Sequence, residues 1–202
     1  MKYLTFMLIG MTIISCKSQT NTDLLSLKLD ANLSSIIQKD KELKKGQDPN
    51  LGLLSYTTNK LDNYKIASVK LLTYAFPNGN LSDYNNLSIF VTDMNKNNYL
   101  GFKYNSVNQE ETKSILDYLK KTYPNYIQSD KKGSGESYFW EISTLNAWIF
   151  SYQSISIDKN NNNFFSTDFI LVKKGTRMEN SKDLKVITIK EYYKMMYPDL
   201  IK

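Results

Sequence analysis

A pattern that occurs twice sets the strongest limit on what this chain can fold into: three apolar, aromatic-rich segments followed by a helix with a clear start and end. Short runs of β-branched and aromatic residues, separated by Asn, Asp, Gly and Pro, are typical of antiparallel strands joined by turns. The first set covers residues 64–76, 87–94 and 98–104, and the second covers residues 138–143, 147–157 and 164–174. The pattern predicts an α+β fold in which antiparallel β-meanders pack against two or three helices.

Each set of strands is followed by a helix whose first turn has capping-box spacing, Asn108 with Glu111 and Thr188 with Glu191. The helices end in the sequences Tyr-Pro-Asn-Tyr-Ile and Tyr-Pro-Asp-Leu-Ile, since proline cannot continue a helix. The shared ending favours a duplicated βββα unit. The alternative is that proline ends helices in any protein and that the match arose by chance.

The segment before the first set predicts two further elements. Residues 25–29 alternate leucine with polar residues, as in a short strand. Residues 33–43 place apolar side chains near helical spacing, and Lys-Lys-Gly at positions 44–46 matches a basic last turn followed by a glycine stop. We therefore expect a single α+β domain over residues 24–202, preceded by a polar, flexible tether over residues 16–23.

Composition removes several classes of chemistry. The chain has one cysteine and no histidine, so the usual base of serine and cysteine hydrolases and the commonest zinc ligand are missing. The formal net charge is +6, but the lysines are scattered among acids. We expect no nucleic-acid partner, because such partners require a clustered basic surface. No cofactor and no metal site are predicted.

The single cysteine lies at the end of an apolar N-terminal segment. Lys2 precedes an uncharged run over residues 3–14, which is too short to cross a bilayer as a helix of about 20 residues. The sequence Ile-Ile-Ser-Cys that ends at Cys16 resembles the lipobox of bacterial lipoproteins. The alternative is an ordinary signal peptide with a coincidental cysteine.

The resemblance to bacterial lipoproteins implies a cleaved signal peptide over residues 1–15 and acyl chains on Cys16. Each buried methylene contributes on the order of 0.8 kcal/mol, so two or three chains would hold the protein stably on a membrane. Lys17 follows the cysteine, where an aspartate would resemble the inner-membrane retention signal of Gram-negative lipoproteins. We therefore expect anchoring to the outer membrane, on a face that the sequence leaves open.

Aromatic side chains on two neighbouring strands are candidates for a binding face. Tyr138 and Trp140 share one face of their strand, and Trp148, Phe150 and Tyr152 share one face of the next. Such a ladder suits stacking on sugar rings or gripping an extended peptide. The alternative is that these aromatic residues belong to the hydrophobic core.

Carboxylates next to these aromatic residues raise a catalytic alternative. Glu136 and Glu141 flank Trp140, and a pair of carboxylates about 5–9.5 Å apart can hydrolyse a glycosidic bond. Asp93 and Asp158 occur at predicted hairpins, where turn formation is a better explanation than calcium binding because no spaced calcium-loop motif surrounds them.

Together these features favour a non-catalytic binding or scaffolding lipoprotein of the bacterial envelope. Its expected partners are the membrane, through Cys16, and another envelope protein or a glycan. The alternative function is a carboxylate-dependent glycan hydrolase that uses Glu136 and Glu141.

Overall fold

The structure is a computed structural model that describes residues 21–131 and 135–201. Its strands are β1 (Thr22–Asp23), β2 (Lys44–Gln47), β3 (Leu54–Thr58), β4 (Tyr64–Ile66), β5 (Val69–Lys70), β6 (Asn86–Val91), β7 (Tyr99–Ser106), β8 (Tyr126–Lys131), β9 (Gly135–Ile142), β10 (Ala147–Ile157) and β11 (Asn163–Lys173). Its helices are α1 (Ser34–Lys39), α2 (Gln109–Thr122) and α3 (Ile189–Met196). The α+β class with antiparallel meanders is confirmed.

One large antiparallel sheet organises the molecule. Its eight strands follow the order β2-β3-β6-β7-β11-β10-β9-β8. The meander β3-β6-β7 and the meander β9-β10-β11 meet at their third strands, where Ser106 of β7 lies opposite Thr167 of β11. A small three-stranded sheet, β1-β4-β5, is separate from the large one. The predicted strands 87–94, 98–104, 138–143, 147–157 and 164–174 correspond closely to β6, β7, β9, β10 and β11.

The two faces of the large sheet carry separate hydrophobic cores. On the first, which we call the α2 face, Ile115 and Leu119 of α2 pack in one core with residues of β6, β7 and β9 to β11 and of the small sheet. On the second, which we call the α3 face, Ile189 and Tyr193 of α3 pack with the central strands and the end of the described chain. Alternation along each strand produces this division, since successive side chains of a strand point to opposite faces.

Both long helices begin at the predicted caps, but only one forms the complete capping box. Thr188 and Glu191 bond each other's backbone N–H groups at the start of α3. At the start of α2, the Asn108 side chain accepts from the backbone N–H of Glu111 at 3.0 Å. The Glu111 side chain does not return to the cap. It is buried and accepts instead from the backbone N–H of Leu72 at 2.8 Å and from the Tyr104 hydroxyl.

The repeated pattern does not form a symmetric pair in the fold. The strands β7 and β11 are antiparallel neighbours. A twofold rotation that exchanges two such strands has its axis perpendicular to the sheet, so it does not exchange the two faces of the sheet. Two copies of one βββα unit related in this way would place both helices on one face. Here α2 and α3 pack on opposite faces.

Three local predictions are wrong. Residues 25–29 form a turn region rather than a strand. The first helix is α1 alone, and the Lys-Lys-Gly segment predicted to end it belongs to β2, which pairs with β3. The predicted strand over residues 64–76 supplies only β4 and β5 of the small sheet, and β3 takes its place beside β6 in the large sheet. The Lys-Lys-Gly segment is polar, and a polar sequence suits an edge strand such as β2 as well as a helix terminus.

Candidate functional site

The predicted aromatic ladder is divided between the two faces of the sheet. Strand register pairs Trp140 of β9 with Ile149 of β10, and it pairs Phe139 with Phe150. Trp140 therefore lies on the α2 face and Phe150 on the α3 face, so the two predicted sets do not form one surface. The exposed fractions of the side chains are 0% for Tyr138, 1% for Trp140, 7% for Trp148 and 1% for Phe150. These four belong to the two cores.

Tyr152 is the member of the predicted set that is half-buried. Its ring lies 5.4 Å from that of Tyr197 and 6.0 Å from that of Tyr193, centre to centre, on the α3 face. Burial raises the pKa of Tyr152 well above its ordinary value, and the neighbouring Asp168 carboxylate raises it further. The hydroxyl therefore stays protonated, and the three tyrosines form a packed aromatic cluster.

Glu136 and Glu141 do not face each other. They are five residues apart on β9, so they point to opposite faces and their Cα atoms are separated by about 16 Å at the usual rise of an extended strand. A pair of catalytic carboxylates stands no more than about 9.5 Å apart. Glu141 is bonded to Lys174 at 2.7 Å and to Lys190 at 2.8 Å. Hydrogen bonds from these two lysines lower the pKa of Glu141 to about 2.

The hairpin aspartates stabilise turns, as their positions predict. Asp93 accepts from the backbone N–H groups of Asn95 and Lys96 at 2.9 and 2.7 Å. Asp158 accepts from those of Asn160 and Asn162, both at 2.8 Å. These bonds lower the pKa of both carboxyls. Within residues 21–131 and 135–201, no group of three or more His, Cys, Asp or Glu side chains is arranged to hold a metal ion.

A polar cleft lies along one side of α2, where the helix crosses strands β9 and β10. We call it the α2 cleft. Its volume is about 310 Å³. Helix α2 contributes side chains that recur about once per helical turn and therefore lie along one side of the helix. Strands β9 and β10 contribute one residue each. The lining residues are Gln109, Thr112, Lys113, Leu116, Asp117, Lys120, Glu136 and Gln153.

A chain of hydrogen bonds joins the helix to the sheet at one end of the α2 cleft. The Lys120 ammonium donates to the Tyr138 hydroxyl at 2.8 Å and lies 4.1 Å from the centre of that ring. The Tyr138 hydroxyl in turn donates to the Glu136 carboxylate. A lysine and a glutamate are thus connected through one buried tyrosine, which holds both charged groups at fixed positions.

One wall of the α2 cleft and the strands next to it carry buried hydroxyl groups in place of apolar side chains. Thr112 lines the cleft, whereas Ser151 and Thr167 lie next to its residue Gln153 on the same face of the sheet, Ser151 two positions earlier on β10 and Thr167 opposite on β11. The hydroxyls of these three residues are buried and have no hydrogen-bond partner among the residues that the structure describes. Buried polar groups in proteins are nearly always bonded, so these hydroxyls need a partner such as water or a ligand.

The other side of α2 carries a closed polar network. The Asn85 amide donates to the Tyr104 hydroxyl at 2.8 Å, and it accepts from the backbone N–H of Val107 at 2.8 Å. The Tyr104 hydroxyl donates to Glu111. Burial raises the pKa of Glu111 above its ordinary value. Through the bond from Leu72, which follows β5, to Glu111, this network holds α2 against the small sheet.

The sequence contained a signal for the α2 cleft. Ser151 and Gln153 occupy the strand positions that continue the buried, apolar series of Ala147 and Ile149. Polar residues at positions where the alternation predicts apolar ones indicate either a functional site or a local break in the core. The neighbouring aromatic residues dominated the pattern, so the sequence alone did not single these positions out.

Cys16, the predicted signal peptide and most of the predicted tether lie outside the described residues. Among the residues that are described, no helix has both the length and the apolar composition needed to cross a membrane. No protein-family model, curated protein or solved structure matches this chain. The geometry of the α2 cleft and the sequence around Cys16 are therefore the features that indicate a function.

Proposed function

We propose that the protein is a lipoprotein of the bacterial outer membrane, anchored through Cys16, and that its α+β domain is a non-catalytic binding or scaffolding module. Its partner is another envelope protein or a glycan. The lipobox resemblance supports the anchor, and the α2 cleft supports the binding role.

The observation that carries the proposal is the position of the α2 cleft relative to the start of the domain. The chain reaches the domain through β1, where Thr22 pairs with Tyr64 of β4. The small sheet lies on one side of α2, where Glu111 accepts a hydrogen bond from the backbone N–H of Leu72, just after β5. The cleft lies on the other side, where Lys120 bonds Tyr138 of β9. A tether that leads to β1 therefore leaves the cleft accessible.

The charged groups around the cleft support binding over catalysis. Glu136 is tied to Tyr138, and Asp117 is paired with Lys113 at 2.6 Å. A general acid or base needs a carboxyl that can approach a substrate and whose pKa suits proton transfer. Both carboxylates of the cleft are instead occupied by donors from the protein. With Glu136 and Glu141 on opposite faces, no observation favours the glycan hydrolase.

The anchor is tested by metabolic labelling. Cells that express the full chain are grown with radioactive palmitate, and the protein is captured and its label measured. We expect label on the wild-type protein and none on Cys16→Ser. Label on the Cys16→Ser protein would contradict the assignment of Cys16.

Sorting is tested by separating inner and outer membranes. We expect the wild-type protein in the outer membrane and the Lys17→Asp variant in the inner membrane. Protease treatment of intact cells then distinguishes the two faces, because a periplasmic domain survives it.

The binding role is tested by affinity capture of the detergent-solubilised lipoprotein from envelopes after mild crosslinking. The wild-type protein is compared with Gln153→Ala, a variant that changes one side chain of the α2 cleft. We expect a partner that the wild-type protein retains and the variant retains less. Recovery of no protein or glycan by the wild-type protein would contradict the scaffolding proposal.

A further inference from the structure

We propose that the α2 cleft binds one uncharged sugar residue of an envelope glycan. This inference rests on the binding role proposed above and names the class of ligand. It does not depend on the lipid anchor.

The size of the cleft suits a small ligand. Its volume of about 310 Å³ lies at the lower end of the range of about 300–1,000 Å³ that is usual for ligand sites. A single sugar ring fits such a space, whereas a folded protein partner requires a broad interface. The partner that the cleft itself recognises is therefore a small molecule or one unit of a polymer.

The charges of the cleft favour a ligand without net charge. Its two lysines and two acids are equal in number: Lys113 pairs directly with Asp117, and Lys120 and Glu136 both bond the Tyr138 hydroxyl. With as many acids as lysines in its lining, the cleft gives an anionic ligand no net electrostatic attraction. A cationic ligand gains no net attraction for the same reason. Neutral hydrogen-bonding groups remain as the basis of recognition.

Two amide side chains are oriented by the protein so that one end of each is left for a ligand. Gln109 donates through Nε2 to the backbone oxygen of Phe165 at 2.6 Å. Gln153 accepts through Oε1 from the backbone N–H of Glu136 at 3.0 Å. These bonds fix which end of each amide is used. The Gln109 oxygen is then an acceptor and the Gln153 Nε2 group is a donor.

The hydroxyl groups complete the match to a polyhydroxylated ligand. A hydroxyl both donates and accepts, so the unpaired Thr112 hydroxyl can bond a sugar hydroxyl in either sense. Ser151 and Thr167 are neighbours of Gln153 on the same face, Ser151 two positions earlier on β10 and Thr167 directly opposite on β11. An acceptor, a donor and a hydroxyl along one cleft correspond to the alternating groups of a sugar ring. The side chain of Leu116 adds an apolar surface against which the C–H groups of the ring can pack.

The test is isothermal titration calorimetry of the full-length lipoprotein in a detergent that carries no sugar. The probes are three neutral trisaccharides, maltotriose, cellotriose and N,N′,N″-triacetylchitotriose, with glucose 6-phosphate as the charged comparison. We expect at least one trisaccharide to bind and to do so more tightly than glucose 6-phosphate. Preferential binding of glucose 6-phosphate would overturn the neutral class, and binding of none of the three trisaccharides would overturn the sugar site.

A matched pair of variants separates binding from folding. Thr112→Val removes the unpaired hydroxyl and keeps the shape of the side chain, so we expect trisaccharide affinity to fall about tenfold with no loss in the urea midpoint. Ser55 also has a buried hydroxyl without a partner in the described part of the chain, but it does not line the α2 cleft. Ser55→Ala should leave affinity unchanged. Equal affinity of the Thr112→Val and wild-type proteins would contradict the assignment.

The outcome is distinguishable from failure of the proposed function. Loss of palmitate labelling would remove the anchor and leave the calorimetric result untouched. Conversely, a lipoprotein that retains a partner in affinity capture but binds no trisaccharide would keep the binding role and overturn the sugar site.

Discussion

Removing the carboxylate of Glu111 should weaken the fold more than any other change to an acidic side chain at the start of α2. The group is 4% exposed. It accepts from the backbone N–H of Leu72 and from the hydroxyl of Tyr104. Glu111→Ala leaves both donors without this acceptor; the buried Tyr104 hydroxyl without a partner costs about 1–3 kcal/mol, and the part-buried N–H of Leu72 adds a smaller cost. We therefore expect the free energy of unfolding to fall by about 2–5 kcal/mol.

Glu111→Gln separates the shape of the side chain from its charge. The glutamine keeps one acceptor oxygen and removes the burial of a charge, so the expected loss is below about 1.5 kcal/mol. Glu110→Ala is the control at the exposed neighbouring position. Because it removes only a favourable charge near the helix N-terminus, it should cost less than about 1 kcal/mol.

The pH dependence provides an independent check on Glu111. Burial raises its pKa in the folded protein. The folded state therefore binds more protons than the unfolded state near that pKa, and lowering the pH favours folding. The stability of the wild-type protein relative to Glu111→Gln should be highest below the pKa of an unfolded glutamate, about 4.3, and should decline as the pH rises through the raised pKa.

Urea unfolding of the Cys16→Ser protein, followed by tryptophan fluorescence, measures these differences. Trp140 and Trp148 are both buried, so their emission reports unfolding. The reasoning fails if Glu111→Ala unfolds within about 0.5 kcal/mol of the wild-type protein, the usual range for neutral surface changes. It also fails if the advantage of the wild-type protein over Glu111→Gln grows as the pH rises.

Three further changes test other parts of the structure. Gly101 has a φ of +144°, and a Cβ atom there would collide with the backbone of Leu171 on β11, so Gly101→Ala should cost more than about 3 kcal/mol; a urea midpoint equal to that of the wild-type protein would disprove this close approach. Glu141→Gln removes an exposed carboxylate from between two lysines and should cost less than about 1 kcal/mol. That loss should be visible at pH 7 and disappear as the pH falls from about 4.3 through the lowered pKa of about 2, and acid titration of both proteins measures it. Trp140→Phe removes the indole N–H that donates to the backbone oxygen of Tyr123 at 3.0 Å and should cost about 1–3 kcal/mol; unchanged thermal unfolding would argue against that bond.

The sequence predicted the long strands well because their alternation and their turns carry local information. The hairpins around residues 95–97 and 158–162 contain asparagines and an aspartate that bonds the turn backbone, and the structure uses them in that way. The capped starts of α2 and α3 are local for the same reason. Residues that interact within about five positions of each other leave a signal in the sequence.

The arrangement of the faces was not predictable in this way. Whether Trp140 and Phe150 share a face depends on the register between β9 and β10, and a shift by one residue reverses the answer. The register is determined by the short connection between the strands, where Asn146 has a φ of +50°. The sequence shows an asparagine at that position but not the length of the turn that it closes.

The α2 cleft combines residues from three distant segments. Gln109 and Lys120 belong to α2, Glu136 to β9 and Gln153 to β10. Helix α2 follows β7, which lies on the other side of β11 from both β9 and β10. Only the pairing of β7 with β11 brings the helix over the second meander. No pattern within either half of the sequence contains that information.

The pairing of β7 with β11 also has a consequence for how the protein reaches its folded state. Asn105 and Ser166 bond across this junction although they are 61 positions apart. Pairings between distant segments form slowly, because the entropy of closing a long loop is lost before the contacts are gained. Until they form, β7 and β11 each present an unpaired edge to other chains. If the protein is exported as proposed, it folds after crossing a membrane, and a chaperone would be most valuable during this interval.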